Sequence, residues 1–458
     1  GIIGPIPESE FSMESIQKKI DAHPFIKDKK KKPRILTITQ STYDGVSYNV
    51  ESIKKKLDGK IDALHFDEAW LPHAAFHEFY KDMHAIGKDR PRTKNSLIFA
   101  TQSTHKMLAG LSQASQILIA ESENKKLNEN IFNEAFLMHT STSPQYSIIA
   151  SCDVAAAMME GPGGSALVEE SINESMDFRR AMQKVDNEWG SDWWFKVWGP
   201  DAITDDGIGS RENWMLKPKD EWHGFNHLSD GFNMLDPLKA TIITPGLGLN
   251  GEFDDIGIPA AMVTKYLAEH GVIVEKCGLY SFFVMFTIGI TKGRWNTLLA
   301  GLQQFKDDYD RNQPMWKILP KFVAQNPRYE RMGLRDLCKQ IHDTYKAGNI
   351  ARMTTEIYVS DIKPAMKPSE AFAKMAREEI ERIEIDNLDG KVTAVLLTPY
   401  PPGIPLLVPG ERFNKTIVDY LKFARAMNER LPGFETDIHG LVTEVVGGVK
   451  RYYVDCVT

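Results

Sequence analysis

The chain has 458 residues, 42% of them hydrophobic and 26% charged, with a formal net charge of -7 at pH 7. This composition is typical of a soluble globular protein of two or three domains. The net negative charge argues against nucleic acid and anionic membranes as partners, and no apolar stretch has the length of a membrane span. The four cysteines are widely separated along the chain, which favours a reducing cytoplasm over a disulfide framework.

The first hundred residues predict helices alternating with strands. Residues 12–22 predict a short amphipathic helix, and the basic run at 27–34 is interpreted as a solvated linker rather than a binding patch. Three apolar runs predict buried strands, at 34–39, 61–66 and 96–101. Two helices are predicted between these strands, at 49–57 and 72–83. Such alternation is typical of a parallel α/β sheet, in which ligands bind beyond the carboxyl ends of the strands.

The middle of the chain predicts two long helices, over 147–160 and 165–185, separated by Gly161-Pro162-Gly163-Gly164. The segment 189–232 is irregular and holds six tryptophans, which indicates a domain-joining or subunit-packing segment. After it the pattern predicts a smaller α+β domain, with strands at 240–244, 272–276 and 281–290 and helices at 259–270 and 295–312. The remainder predicts mostly helices, then a strand at 392–397, a proline-rich segment, one more helix and a terminal strand pair.

Lys106 and Asp67 follow neighbouring predicted strands. Lys106 ends the string TQSTHK after the third strand, and Asp67 follows the second strand in FDEAW. Such a pair can serve pyridoxal phosphate (PLP): the lysine forms a Schiff base, and the aspartate keeps the pyridine nitrogen protonated. Ser103 and His105 could bind the phosphate. Taken alone, a lysine after a strand is usually a surface lysine, and an aspartate at a strand end more often caps the following helix.

Three further patterns suggest ligands, but each has a simpler interpretation. His73 and His77 have the i, i+4 spacing of zinc ligands, yet no glutamate follows His73, so histidines facing solvent or substrate are favoured over a metal site. Residues 246–251 match GxGxxG, but a loop follows, which predicts a glycine turn rather than a dinucleotide site. Residues 161–164 lack the Gly-Lys-Ser/Thr of a phosphate-binding loop and predict a helix break.

Seven strings together resemble the bacterial inducible arginine/lysine/ornithine decarboxylases. They are STYDGVSYN (41–49), FDEAW (66–70), TQSTHK (101–106), MHTSTSPQY (138–146), WHGF (222–225), YPPGIPLLVPGE (400–411) and PGFETDIHG (432–440). No single string is specific, but the joint set is, and it covers essentially the whole chain. The resemblance implies an α/β PLP fold of type I, like that of aspartate aminotransferase. It also implies three parts: the end of the PLP-binding large domain (1–158), a small α+β domain (159–312) and a C-terminal decarboxylase domain (313–458).

The resemblance also implies roles for individual residues. Lys106 would carry PLP, Asp67 would pair with the pyridinium, and Ser103 and His105 would bind the phosphate. Trp70 and His73 would lie on the substrate side of the ring, with His73 taking part in catalysis. The stretch Thr140-Ser141-Thr142 would reach the phosphate of a neighbouring subunit. The implied reaction is decarboxylation of arginine or lysine, less favourably ornithine, to the amine and CO2 in the cytoplasm.

Family members carry a further stretch ahead of the position of Gly1, comprising a wing domain, a linker and the first part of the cofactor domain. We therefore expect a fragment or processed chain, or a second chain that supplies the rest. A truncated, non-catalytic assembly partner or regulator is the alternative function. A homodimer and larger homo-oligomers are also expected, because the tryptophans of 189–222 offer more aromatic area than one surface should expose.

Overall fold

The computed structural model describes residues 3–88, 90–201, 203–400 and 403–458. The remaining positions are Gly1, Ile2, Asp89, Ala202, Pro401 and Pro402. The predictions for the start of the first loop and for part of the proline-rich segment therefore lie outside the described residues. Across the described ranges, no helix combines the length and apolar character that crossing a membrane requires.

The strands, in chain order, are β1 (Ile35–Thr39), β2 (Val46–Tyr48), β3 (Ala63–Asp67), β4 (Leu97–Gln102), β5 (Gln116–Ala120), β6 (Lys196–Val197), β7 (Asn233–Leu235), β8 (Lys239–Ile243), β9 (Lys276–Cys277), β10 (Ser281–Met285), β11 (Lys363–Pro364), β12 (Ile380–Glu384), β13 (Thr398–Tyr400), β14 (Glu411–Arg412), β15 (Asp437–His439), β16 (Leu441–Val446) and β17 (Val449–Val457). The helices are α1 (Met13–Ala22), α2 (Val50–Leu57), α3 (Thr104–Met107), α4 (Glu129–His139), α5 (Tyr146–Met158), α6 (Gly161–Trp189), α7 (Ala260–Glu269), α8 (Lys292–Asp310), α9 (Met315–Ile318), α10 (Pro320–Gln325), α11 (Leu334–Ala347), α12 (Ile350–Val359), α13 (Pro368–Ala376) and α14 (Lys415–Arg430).

The first sheet has the order β1-β3-β4-β5, and its first three strands are parallel, as the sequence predicts. Leu64 and Phe66 of β3 are fully buried, and Ile98 and Ala100 of β4 lie beside them in the same core. The strand β5, which runs antiparallel to β4, was not predicted. This sheet sets the carboxyl ends of β3 and β4 side by side.

The predicted helix over 72–83 is wrong. Two short 3-10 turns, Ala74–Phe76 and Glu78–Tyr80, take its place. Between them His77 is extended (φ −143°, ψ 133°), and its Nδ1 accepts a hydrogen bond from the Phe79 amide. This side-chain bond offers the backbone an alternative to a continuous helix, so the connection between β3 and β4 stays compact.

The second sheet has the order β6-β8-β10-β9, and the long helix α6 packs with α8 beside it. The predicted glycine break is real, but it lies between Met158 and Gly161, and the other glycines belong to the first turn of α6. Gly161 has a positive φ of 60°, and the following proline starts the helix. Residues 244–259 form a loop between β8 and α7, which confirms the glycine-turn interpretation of 246–251.

The tryptophans of 189–222 lie within the chain's own core, so the inference that they form a subunit surface is wrong. Trp193, Trp198 and Trp214 are 4%, 3% and 3% exposed. Trp194 packs edge-on against Tyr309 of α8, with ring centroids 4.7 Å apart. The segment joins parts of the chain, and its aromatic area is used in that packing.

The C-terminal region contains a sheet of order β12-β17-β16, which includes the predicted terminal strand pair. The helix α14 precedes that strand pair, as predicted. The predicted strand over 392–397 forms only isolated bridges, such as that between Leu397 and Leu407. The division of the chain at residues 158 and 312 stays a prediction.

Candidate active site

The sheet places Asp67 and the Lys106 segment at one edge. Asp67 is the last residue of β3, and it lies opposite Thr101 near the end of β4. The chain then turns into the short helix α3, which carries Lys106. One Asp67 oxygen, Oδ1, accepts a hydrogen bond from the Ala69 amide at 3.0 Å. Within the described part of the chain, the other Asp67 oxygen has no such bond and can take a ligand.

Lys106 is half-buried, and its Nζ lies 5.2 Å from the centre of the Trp70 ring. Trp70 itself packs against two aromatic side chains, with ring centroids 4.8 Å from Tyr43 and 5.7 Å from Phe283. Burial, with the nearby charge of Glu275 next, raises the pKa of Tyr43 to about 12, so its hydroxyl stays protonated. The Lys106 amine thus lies beside an aromatic wall.

Ser103 and His105 flank the same turn. Ser103 is the N-cap residue of α3, but its hydroxyl makes no capping hydrogen bond. His105 uses Nδ1 in a 2.8 Å contact with the Ala114 carbonyl, which fixes the ring and leaves Nε2 for a ligand. A phosphate would need a donor at Nε2, so His105 would bind it best as the doubly protonated ring. Both roles stay predictions.

His73 is buried, with its Nε2 3.3 Å from a carboxylate oxygen of Asp236. Its ring also packs edge-on against Tyr80, with centroids 4.8 Å apart. Burial lowers the pKa of His73, against the opposing effect of Asp236. His73 is only 1% exposed, which favours a supporting position over direct contact with substrate. Its predicted catalytic role stays untested.

The stretch Thr140-Ser141-Thr142 lies in an exposed loop between α4 and α5. Its hydrogen bonds are local: the Thr140 hydroxyl donates to the Phe136 carbonyl, and Ser141 Oγ accepts from the Ser143 amide. The same two helices expose several large apolar side chains, namely Ile131, Phe136, Leu137, Met138, Tyr146, Ile149, Val154 and Met158. The predicted reach of this loop into a neighbouring subunit stays a prediction.

The histidine-rich span does not gather into a metal site. Among the described residues, no three or more His, Cys, Asp or Glu side chains come together in a way that could hold a metal ion. His65 instead lies across the sheet, with Nε2 3.0 Å from the Thr101 hydroxyl and Nδ1 3.3 Å from that of Thr37. His77 faces Glu169 at 3.9 Å.

Glu68, next to Asp67, is fully buried. Its carboxylate accepts hydrogen bonds from the Ala85 amide at 2.5 Å and from the Gln102 amide group at 2.9 Å. Burial raises the pKa of Glu68 to about 7 in spite of these donors, and the charge of Asp67 adds to the rise. The bonds tie the end of β3 to the end of β4, where Asp67 and Ser103 lie.

A buried ion pair that was not predicted from the sequence lies close to Trp70. Lys239 and Asp236 are fully buried, with Nζ 3.1 Å from the carboxylate. Burial would raise the pKa of Asp236, but Lys239 and His73 hold it well below its usual range. Burial lowers the pKa of Lys239, Asp236 opposes this, and the charge of Lys106 lowers it further. A lysine and an aspartate three residues apart at the start of a buried strand were the available signal.

Comparison with known proteins identifies the family. The profile of the Orn/Lys/Arg decarboxylase major domain matches residues 1–294, and that of the Orn/Lys/Arg decarboxylase C-terminal domain matches residues 351–458. Lysine decarboxylase LdcA of Pseudomonas aeruginosa is 48% identical over 100% of this chain and 61% of its own length. The biodegradative arginine decarboxylase of Escherichia coli is 38% identical over 100% of this chain and 63% of its own length.

The solved structure of lysine decarboxylase A from Pseudomonas aeruginosa superposes with a TM-score of 0.94 at 47% identity, over 100% of this chain and 62% of that one. This likeness confirms the predicted fold class. The chain spans about three fifths of the length of the relatives that it matches. With its major-domain profile covering more than half of its residues, the chain belongs to the Orn/Lys/Arg decarboxylase family.

Proposed function

We propose that the protein is a PLP-dependent decarboxylase that converts a basic amino acid into the corresponding amine and CO2. The observation that carries the proposal is the placement of Asp67 and Lys106 beyond the ends of two neighbouring parallel strands, with the lysine amine beside Trp70. The names of the relatives support it, and the greater identity to a lysine decarboxylase than to an arginine decarboxylase favours lysine as substrate.

The side chains present fit PLP. Lys106 is half-buried and its amine has no ion-pair partner among the described residues, so it is available for a covalent bond. Asp67 keeps one oxygen free, as a partner of the pyridine nitrogen requires. The Ser103 hydroxyl, which makes no capping hydrogen bond, and the Nε2 of His105 provide polar groups for the phosphate. These are the chemical groups that the cofactor needs, gathered at one edge of the sheet.

Bound PLP would supply an aldehyde that condenses with amines and a ring that accepts the electrons released with CO2. Lys106 would hold the cofactor and give it up to the substrate amine. Asp67 would keep the proton on the pyridine nitrogen through its negative charge. The wall of Tyr43, Trp70 and Phe283 would exclude water from the amine of Lys106.

The exposed apolar face of α4 and α5 fits a second copy of the chain. Met138 and Tyr146 are each 81% exposed, and Ile131 is 68% exposed, more apolar surface than a monomer normally leaves open. The loop Thr140-Ser141-Thr142 joins these two helices, so a partner on this face would lie next to it. The homodimer, with this loop at the partner's phosphate, is part of the proposal.

The alternative of a non-catalytic assembly partner gains no support from the site. Lys106, Asp67 and Ser103 are all present, and their segments follow neighbouring strands of the first sheet, which supports the catalytic proposal instead. A truncated regulator would have no need to keep the Lys106 amine free and half-buried beside an aromatic wall.

The test is release of CO2 by purified, PLP-loaded protein given lysine, arginine or ornithine separately. We expect turnover of lysine ahead of the other two, and none with the Lys106→Ala variant as the matched control. Absence of turnover with all three amino acids, from protein that carries PLP, would contradict the proposed reaction.

A further inference from the structure

A buried lysine outside the predicted site contacts both segments that carry it. Lys239 opens β8, and its side chain is fully buried. Its Nζ donates to the Asp236 carboxylate at 3.1 Å and to the Trp70 carbonyl at 3.1 Å, and it lies 3.5 Å from the Met107 sulfur. An ammonium has three donors, so each of them has an acceptor. Of these acceptors, Trp70 lies three residues after Asp67 and Met107 directly follows Lys106.

The counter-charge of Lys239 is itself fixed. Asp236 accepts hydrogen bonds from the Tyr80 hydroxyl at 2.7 Å and from the Leu238 amide at 3.0 Å, and it lies 3.3 Å from His73 Nε2. Apart from Lys239, two hydrogen bonds and the contact with His73 therefore hold this carboxylate in place. Because the Asp236 carboxylate is fixed, it determines where the Lys239 amine lies; we call this carboxylate the Asp236 anchor.

The backbone also makes room for this lysine. Gly45 has a positive φ of 94°, and a Cβ at that position would lie 2.5 Å from the Lys239 Cβ and Cγ atoms. The Asp236 amide donates to the Gly45 carbonyl at 2.9 Å. Gly45 belongs to the string STYDGVSYN, and its lack of a side chain is needed for the stem of Lys239 to pass.

The Trp70 ring lies close to the amines of both Lys239 and Lys106. The Nζ of Lys106 is 5.2 Å from the centre of the Trp70 ring, and the Nζ of Lys239 is 5.7 Å from it. Lys239 holds the Trp70 backbone through its carbonyl, and it contacts α3 through Met107. Movement of either segment would change the position of the Lys106 amine relative to Asp67.

We infer that Lys239 is a positioning residue of the cofactor site, whose ammonium fixes the Trp70 segment and the Lys106-bearing helix α3 on the Asp236 anchor. The inference rests on the proposed PLP function. A positioning role and a purely structural role predict different results when the ion pair is replaced. A buried ion pair that serves only stability can often be replaced by apolar groups at little cost in folding free energy. Under the inference, the same replacement leaves a folded protein with a displaced Lys106.

The test compares wild type with the double variant Asp236→Asn/Lys239→Leu, which removes both buried charges together. Circular dichroism checks folding, and absorbance titration with PLP gives the dissociation constant and the absorption maximum of the bound cofactor. Lys306→Met is the matched control, because Lys306 also packs over a tryptophan ring, 4.4 Å from the centre of Trp194, and pairs with Asp310 away from the site. Met107→Leu removes only the sulfur contact to α3, at nearly constant volume.

We expect the folded double variant to bind PLP about tenfold more weakly or worse, with a shifted absorption maximum, and kcat to fall more than KM changes. Met107→Leu should shift the absorption maximum in the same direction by a smaller amount. Lys306→Met should leave both properties at wild-type values. If the double variant does not fold, Met107→Leu decides, and an unshifted spectrum then overturns the inference.

A folded double variant with wild-type PLP affinity and spectrum would likewise show that Lys239 is only structural. Wild-type protein that binds no PLP would contradict the proposed function itself. That result is seen before any variant is made, so the two failures are distinguishable.

Discussion

Replacement of Glu68 by glutamine should change how the stability of the first sheet depends on pH. Burial raises the pKa of Glu68 to about 7 from its ordinary value of 4.5. The folded protein therefore holds this proton more tightly than the unfolded chain does. The resulting stabilisation is fully present below about pH 4.5 and is lost as the pH rises through about 7. Since one pH unit corresponds to about 1.4 kcal/mol, the loss amounts to about 3 kcal/mol.

The Glu68→Gln variant lacks this ionisation but keeps a side chain of the same shape. The free energy of unfolding of wild type, relative to the variant, should therefore fall by about 3 kcal/mol between pH 4.5 and 8.5. Other titrating groups are shared by both proteins and cancel in the comparison. We expect the variant to be at least as stable as wild type at pH 8, where the buried carboxylate is charged.

Urea unfolding at a series of pH values measures this, with pulsed hydrogen exchange and mass spectrometry of the peptides from β3 and β4 at one fixed labelling pH. Asp58→Asn is the control of opposite sign. Burial would raise the pKa of Asp58, but hydrogen bonds from the amides of Asn95, Lys94 and Ser96 lower it, so its contribution is lost as the pH falls. Parallel pH profiles for wild type and Glu68→Gln would refute the reasoning.

Three further predictions concern the cofactor and the dimer. Lys106→Ala should abolish turnover and covalent attachment of PLP, measured by the mass of the protein after borohydride reduction; reduced cofactor still bound to the variant would contradict this. Asp67→Asn should keep PLP bound, by absorbance, while kcat falls about a hundredfold or more, because a neutral amide cannot hold the pyridinium proton; near wild-type kcat would refute that role. Met138→Glu should dissociate the proposed dimer in sedimentation and weaken PLP binding, whereas Val445→Glu, at an apolar position on β16 that is 68% exposed, should not. An intact Met138→Glu dimer would exclude the α4–α5 face.

The parallel core of the first sheet could be predicted because its strands are short apolar runs that are followed by polar residues, such as Asp67 and Gln102. The same runs gave the positions of Asp67 and Lys106, since in a parallel sheet the strand ends meet at one edge. The helix expected over 72–83 failed because His77 bonds to the Phe79 amide, a local competition that periodicity does not reveal.

The contacts that Lys239 makes with the segments of the site could not be predicted from sequence spacing. Lys239 lies 133 positions after Lys106, and its contacts with Trp70 and Met107 arise only when the fold brings the start of β8 to the segments that follow β3 and β4. The inference of a subunit surface at 189–222 was wrong for a related reason. A count of aromatic residues indicates how much area must be buried, but it does not indicate whether the same chain or a second chain covers that area. Trp194 is covered by Tyr309 of the same chain.

The most direct test of the central claim is to reduce the PLP-loaded protein with borohydride, digest it and locate the cofactor by mass spectrometry. We expect a pyridoxyl group on the peptide that contains Lys106, at a stoichiometry near one per chain. A pyridoxyl group on any other lysine, including Lys239, would contradict the proposed role of Lys106.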